Sequence, residues 1–193
     1  MVSRACLESN SLNNFSISTD GLASALQRSA SALKTAGNNI DESIGLITAG
    51  NQVVQDPESV GAAMRTIALR LTGTSVAVQQ LQELGEETDG VVTTVSKLRD
   101  VIMSATKVAS NGFKGIDILD NNGNYRSTAS VLQDIADIYN EIEETDKKTK
   151  SNNVNLLLET IAGKNRANTA ASILQSPDIL REAIESSKNA KGS

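Results

Sequence analysis

Histidine is absent from the 193-residue sequence, which removes the commonest general acid–base and the commonest metal ligand together. Cys6 is the single cysteine, so neither an internal disulfide framework nor a zinc–thiolate site is available. Tryptophan is missing as well, and Phe15, Phe113, Tyr125 and Tyr139 are the whole aromatic set. A core must therefore come from Leu, Ile, Val and Ala, and the stacking platforms that single-stranded nucleic acid needs are lacking. Cations are outnumbered, 18 Lys and Arg against 23 Asp and Glu, giving a net charge of −5 and a pI near 4.8. That balance argues against a phosphate-binding surface, so direct nucleic-acid binding is not expected. No apolar run reaches the roughly eighteen residues of a membrane helix, and MVSRACLESN has no continuous apolar stretch of the kind a signal peptide carries. The segment reads as soluble, without a membrane span or an export signal of its own.

What is present is helical. With 39% hydrophobic and 21% charged residues, the composition suits one globular domain with a modest core. Residues 1–17 are polar and aperiodic, read as disordered or not native to the fold. From Ser18, a cap residue, Leu22, Leu26, Ser29 or Ala30, and Leu33 recur at three-to-four spacing and stop at Gly37. Asn39 and Glu42 form a capping-box variant before Ile40, Ile44 and Ile47, which should share one face. Asp56-Pro57 places a cap before proline at the first helical position, ahead of Val60, Met64, Ile67 and Leu71. A short helix around 76–84, carrying Val76 or Val78 with Leu81 and Leu84, ends at Gly85.

Between Asp89 and Ala109 the positions Val91, Val95, Leu98, Ile102 and Ala105 alternate spacings of four and three. This is the seam of one helix lying along another, and these five residues are the candidate packing and self-association stripe. The segment 116–126, IDILDNNGNYR, alternates Ile116 and Ile118 with polar residues around Asn122-Gly123 and predicts a small β-hairpin or turn. A calcium-loop register through Gly123 would put Ile118 and Ala129 where carboxylates are required, which excludes it. From Ser127 a further helix carries Val131, Leu132, Ile135, Ile138, Tyr139 and Ile142 into the charge run EIEETDKKTK. Glu143 with Lys147, Glu144 with Lys148 and Asp146 with Lys150 are acid-before-base pairs four apart. Whether that helix continues to Lys150 or a new one is capped at Thr145 or Asp146 is open on sequence alone. Val154, Leu157, Leu158 and Ile161 lead to Gly163, Ala167, Ala170, Ile173 and Leu174 follow, and Ser176-Pro177-Asp178 restarts a helix with Ile179, Leu180 and Ile184. The fold class is all-α, an array of about seven to nine amphipathic helices over 18–186, with 187–193 a frayed tail.

Chemistry has little to start from. Glu83, Glu86, Glu87 and Asp89 crowd around a glycine stop and read as a hydrated loop, not a glycosidase pair. Gly112, Gly115 and Gly123 match no phosphate-binding pattern. Arg65, Arg70, Lys164 and Arg166 are expected to pair with carboxylates. No catalytic residue, cofactor-binding residue or metal ligand is named.

The order of the motifs adds a resemblance. DGLASALQRSASALKTAGNNIDESIGLITAGNQ, followed by Gly61, Ala62, Ala63, Met64, Arg65 and Thr66, resembles the core region of phage tail tape measure proteins, with its "G-x-A-[LM]-R-T" element. LQELG at 81–85, DNNGNYRSTASVLQDIADIY at 120–139 and LLLETIAGKNRANTAASIL at 156–174 follow in that family's order, so the resemblance spans roughly 15–178. The stretch at 89–109 is longer than the family's usual spacer. The resemblance implies a structural role: a helical protein in the virion tail, inside the tail tube, that sets tail length and templates tube assembly. The partners it implies are copies of the chain, tail tube subunits and assembly chaperones, in the host cytoplasm during assembly. Even as one helix the chain would reach only about 290 Å at ~1.5 Å per residue, so it is read as one module of a longer polypeptide. The other reading is a free-standing helical adaptor or effector that binds a partner helix, which a reading frame stopping near Ser193 would favour.

Overall fold

Ser18, Asn39, Asp56, Thr74 and Ser127 each satisfy a free amide in the first turn of the helix that follows. In the computed structural model, which describes residues 17–189, α1 (Thr19–Thr35) is capped by Ser18, α2 (Ile40–Val54) by Asn39, and α3 (Pro57–Arg70) by Asp56 with proline at its start. The full capping box of α2 is made: Asn39 Oδ1 accepts from Glu42 N at 2.9 Å, and Asn39 N donates to Glu42 Oε2 at 3.0 Å. Then come α4 (Ser75–Glu83), α5 (Val95–Thr106) with a 3₁₀ turn at Lys107–Ala109, and α6 (Thr128–Thr149). The chain continues through α7 (Asn153–Ala162), a 3₁₀ turn at Lys164–Arg166, α8 (Ala167–Leu174) and α9 (Pro177–Asn189). Nine α-helices and no strand are found among the described residues.

α2 and α3 are the buried centre. Nearly every residue of α3 from Val60 to Arg70 is buried, and so is α2 from Gly45 to Asn51. Small residues set the spacing. A Cβ at Gly61 would lie 2.8 Å from Ala25 Cα, so α1 crosses α3 backbone to backbone. A Cβ at Gly45 would lie 2.6 Å from Ile184 Cα, where α9 presses on α2. α6, α7 and α8 close the remaining faces, and α5 lies along α7. Polar stitches fix these layers: buried Asn38 donates to Leu33 O at 2.9 Å and accepts from Ala129 N at 2.9 Å, tying the end of α1 to the start of α6.

Several expectations need correction. The β-hairpin at 116–126 is not formed. One isolated antiparallel bridge, Leu119 to Tyr125, stands in its place, because Ser127 already caps α6 and leaves the second arm too short for a ladder. The turn is held instead by Asp120, whose Oδ1 accepts from Asn122 N at 2.8 Å and Asn124 N at 2.9 Å. In α2, Ile40 is exposed and Ile44 only half-buried, since glycine and alanine positions face the neighbours. In α4 the buried pair is Ala77 and Leu81, whereas Val76 and Leu84 are exposed. The helix expected over 89–109 starts only at Val95. α6 runs on to Thr149 and ends with Lys150 at a left-handed φ of 57°. The pairs Glu143–Lys147 and Glu144–Lys148 form along it, at 3.9 and 3.6 Å. Asp146 turns instead to the next helix, accepting from Ser151 Oγ at 2.6 Å, Asn153 Nδ2 at 2.7 Å and Val154 N at 2.8 Å. Residues 1–16, with Cys6 and Phe15, and residues 190–193 lie outside the described residues, and α9 continues through Asn189.

Candidate functional site

Three arginines from two stretches of chain meet the 83–89 loop beside the end of α7. α3 supplies Arg65, which reaches the Glu86 carboxylate, and Arg70, which reaches the backbone of Glu87 and Asp89. Gly85, at φ 68°, stops α4 with Glu86 N donating to Leu81 O at 2.9 Å and turns Glu86 inward. The 3₁₀ turn after Gly163 delivers Arg166 from the other side.

Glu86 is the anionic centre, its side chain only 7% exposed. Its Oε1 accepts from Arg166 Nη2 at 2.8 Å and Arg65 Nη2 at 3.3 Å, and its Oε2 accepts from Arg166 Nε at 3.2 Å. Arg70, 1% exposed, donates to backbone carbonyls instead: Glu87 O at 2.8 Å, Asp89 O at 3.0 Å and Glu159 O at 3.1 Å. Burial pushes the Arg70 guanidinium below its usual range, while the neighbouring charges of Glu87, Asp89 and Glu86 oppose that shift. Gly163 allows the approach. A Cβ there would stand 2.7 Å from Arg70 Nη2, and the φ of 73° independently favours glycine. Glu87 Oε2 accepts from Asn165 N at 3.1 Å and completes the knot.

The expectation of a hydrated loop at Glu83, Glu86, Glu87 and Asp89 is thus overturned for Glu86, which is buried between two cations that sequence spacing did not bring near it. Arg65 and Arg166 do pair with a carboxylate, the same one, whereas Arg70 clamps carbonyls and Lys164 stays exposed. Two of the ordered motifs, GAAMRT with Arg65 and AGKNR with Arg166, each contribute a side chain to the knot, and Glu86 directly follows a third, LQELG. The packing stripe divides. Leu98, Ile102 and Ala105 are fully buried in the main core, and Val95 is half-buried against it. Val91 precedes α5 and packs with a separate small cluster of Leu69, Ala77 and Leu81.

Two depressions flank α4. One, of about 330 Å³, is lined by Ala36, Leu69, Leu71, Val76 and Ile118, with Tyr125 at its edge donating to Thr72 O at 2.7 Å. The other, of about 470 Å³, lies between α1 and α4 over Ala32 and Leu69. Among the described residues no cluster of carboxylates or cysteine could hold a metal, and no helix is long and apolar enough to cross a membrane.

Such an arrangement holds backbone in place, and it defines a helical packing module whose distant segments are joined by partly buried ion pairs. The model of the phage-related minor tail protein family matches residues 9–158, most of the chain, and the chain belongs to that family. No curated protein and no solved structure matches it. Membership makes the chain a structural component of the phage tail, associated with other tail proteins.

Proposed function

We propose that the chain is a folded module of a tape measure protein, which sets tail length and around which tail tube subunits assemble. The family match over residues 9–158 carries this reading. It is supported by the succession of motifs quoted above and by the way two of them meet at Glu86, the residue that follows a third. The role is mechanical: helix packing within the chain, self-association, and contact with tube subunits and assembly chaperones, in the host cytoplasm during assembly and then in the tube lumen. The stripe Val91, Val95, Leu98, Ile102 and Ala105 serves that packing.

The test is made on the parent reading frame and its phage. Removing about 100 helical residues in frame, outside residues 17–189, should shorten assembled tails by roughly 150 Å at ~1.5 Å per residue, measured by electron microscopy of intact particles. Tails of unchanged length in a stable, incorporated deletion protein would overturn the ruler role. They would leave the chain a minor tail component of another kind.

A further inference from the structure

We infer that residues 72–94 form a flap that opens as a unit while the rest of the fold stays closed, with Glu86 as its latch. The apolar hold on this segment is slight, and only half-buried Val92, near its end, packs against the main core. Ala77 and Leu81 pack with Leu69 in a cluster separate from the main core, joined by half-buried Ala32 and Val91. α4 packs chiefly on α3, and Val76 and Leu84 on its outer side face solvent. The polar hold is concentrated beyond α4: Glu86 against Arg65 and Arg166, Glu87 against the Asn165 amide, and the carbonyls of Glu87 and Asp89 against Arg70, while Tyr125 on Thr72 O pins the root about which the segment turns. Glycines in left-handed conformation stand at Gly73, Gly85 and Gly90, at φ 60°, 68° and 70°, so bending is available at the root and within the loop.

The balance of forces makes the segment two-state. Closed, Glu86 and Arg70 are both desolvated and depend on their partners; with those partners gone, burial only penalises them and rehydration favours opening. Opening releases water access to Leu69, Ala77, Leu81 and Val91. It also merges the two depressions, because α4 is the wall between them and Leu69 lines both.

Native-state hydrogen exchange on the whole chain tests this. In the unmodified protein, the α4 amides from Gln79 to Leu84 should exchange through one common opening, at least tenfold faster than amides of α2 and α3 such as Ile47 and Ile67. Glu86→Gln should speed the α4 amides by a further factor on the order of 100, with those of α2, α3 and α6 unchanged. Arg166→Gln, at the more exposed partner, should act in the same direction by a smaller factor and keeps the comparison should the first variant not fold. Equal exchange of α4 and the α2–α3 core in the unmodified protein would overturn the flap. Equal acceleration everywhere in either variant, or none in α4, would overturn the latch.

Discussion

Replacing Arg70 by methionine keeps an unbranched, shorter apolar side chain and removes every donor. Three backbone carbonyls, of Glu87, Asp89 and Glu159, then lose a partner. A buried acceptor left unpaired costs about 1–3 kcal/mol, so three would cost up to ~9 kcal/mol if all stayed dry. Two effects reduce this. The desolvation of the guanidinium, already visible in its lowered pKa, is relieved, and the loop carbonyls can move towards water. Loss of the cation beside Glu86, Glu87 and Asp89 acts the other way. The expected net loss is about 3 kcal/mol, a large share of the ~5–15 kcal/mol typical of a domain. With a urea slope of about 2 kcal/mol/M, the unfolding midpoint should fall by about 1.5 M, followed by far-UV circular dichroism. Arg70→Lys should recover only part of this, because one ammonium cannot span carbonyls on both the 83–89 loop and α7. A methionine variant as stable as the parent, or more stable, would refute the claim that Arg70 ties these segments together.

Gly61→Val should destabilise by about 2–4 kcal/mol, because its Cβ falls 2.8 Å from Ala25 Cα and O and the helices must part; an unchanged melting temperature would contradict the backbone contact. Leu98→Asp with Ile102→Asp buries two carboxylates in fully enclosed positions and should abolish the folded state or drive the chain into aggregates, read by circular dichroism and light scattering. A monomer with an unchanged melting curve would show that the stripe is not buried. Asp146, although desolvation alone would raise its pKa, is held below the usual carboxylate value by hydrogen bonds from Ser151, Val154 and Asn153. Its contribution to stability is therefore present above its unfolded pKa near 3.8 and is lost as pH falls through the lower folded value. Asp146→Asn should flatten the stability profile in that acidic window, and a profile parallel to the parent's would refute the capping role.

Four helix starts are readable because they are encoded locally, at Ser18, Asn39 with Glu42, Asp56-Pro57 and Ser127, whereas the start of α5 at Val95 has no side-chain cap to mark it. The apolar spacings of α3 and α6 also marked their buried faces, since long side chains at three-to-four intervals fill those interfaces. α2 follows its spacing only in part: Ile47 is fully buried as expected, whereas Ile40 and Ile44 are not. Beside Leu46, Ile47 and Ala49, its packing uses close contacts at Gly45 and Gly50, which leave no hydrophobic signal in the sequence. The hairpin failed because alternation in 116–119 was real, with Ile116 and Ile118 buried, but a second strand needed residues that Ser127 commits to a helix. The knot was illegible from spacing because Glu86 and Arg166 are brought together by the whole path through α5, α6 and α7. A carboxylate beside a glycine looks solvated until its distant partners are known.

The seat of α9 on α2 also has a consequence for synthesis. The groove at Gly45 leaves the ribosome early, but Ile184, which fills it, follows about 140 residues later, roughly 7–28 s at translation rates of ~5–20 residues per second. During that interval the glycine face of α2 has no lid. Nascent chains on neighbouring ribosomes present the same bare face together with the same late helix, so exchange of α9 between chains competes with closure within one. Any chaperone that shields this face needs to hold it only until α9 emerges.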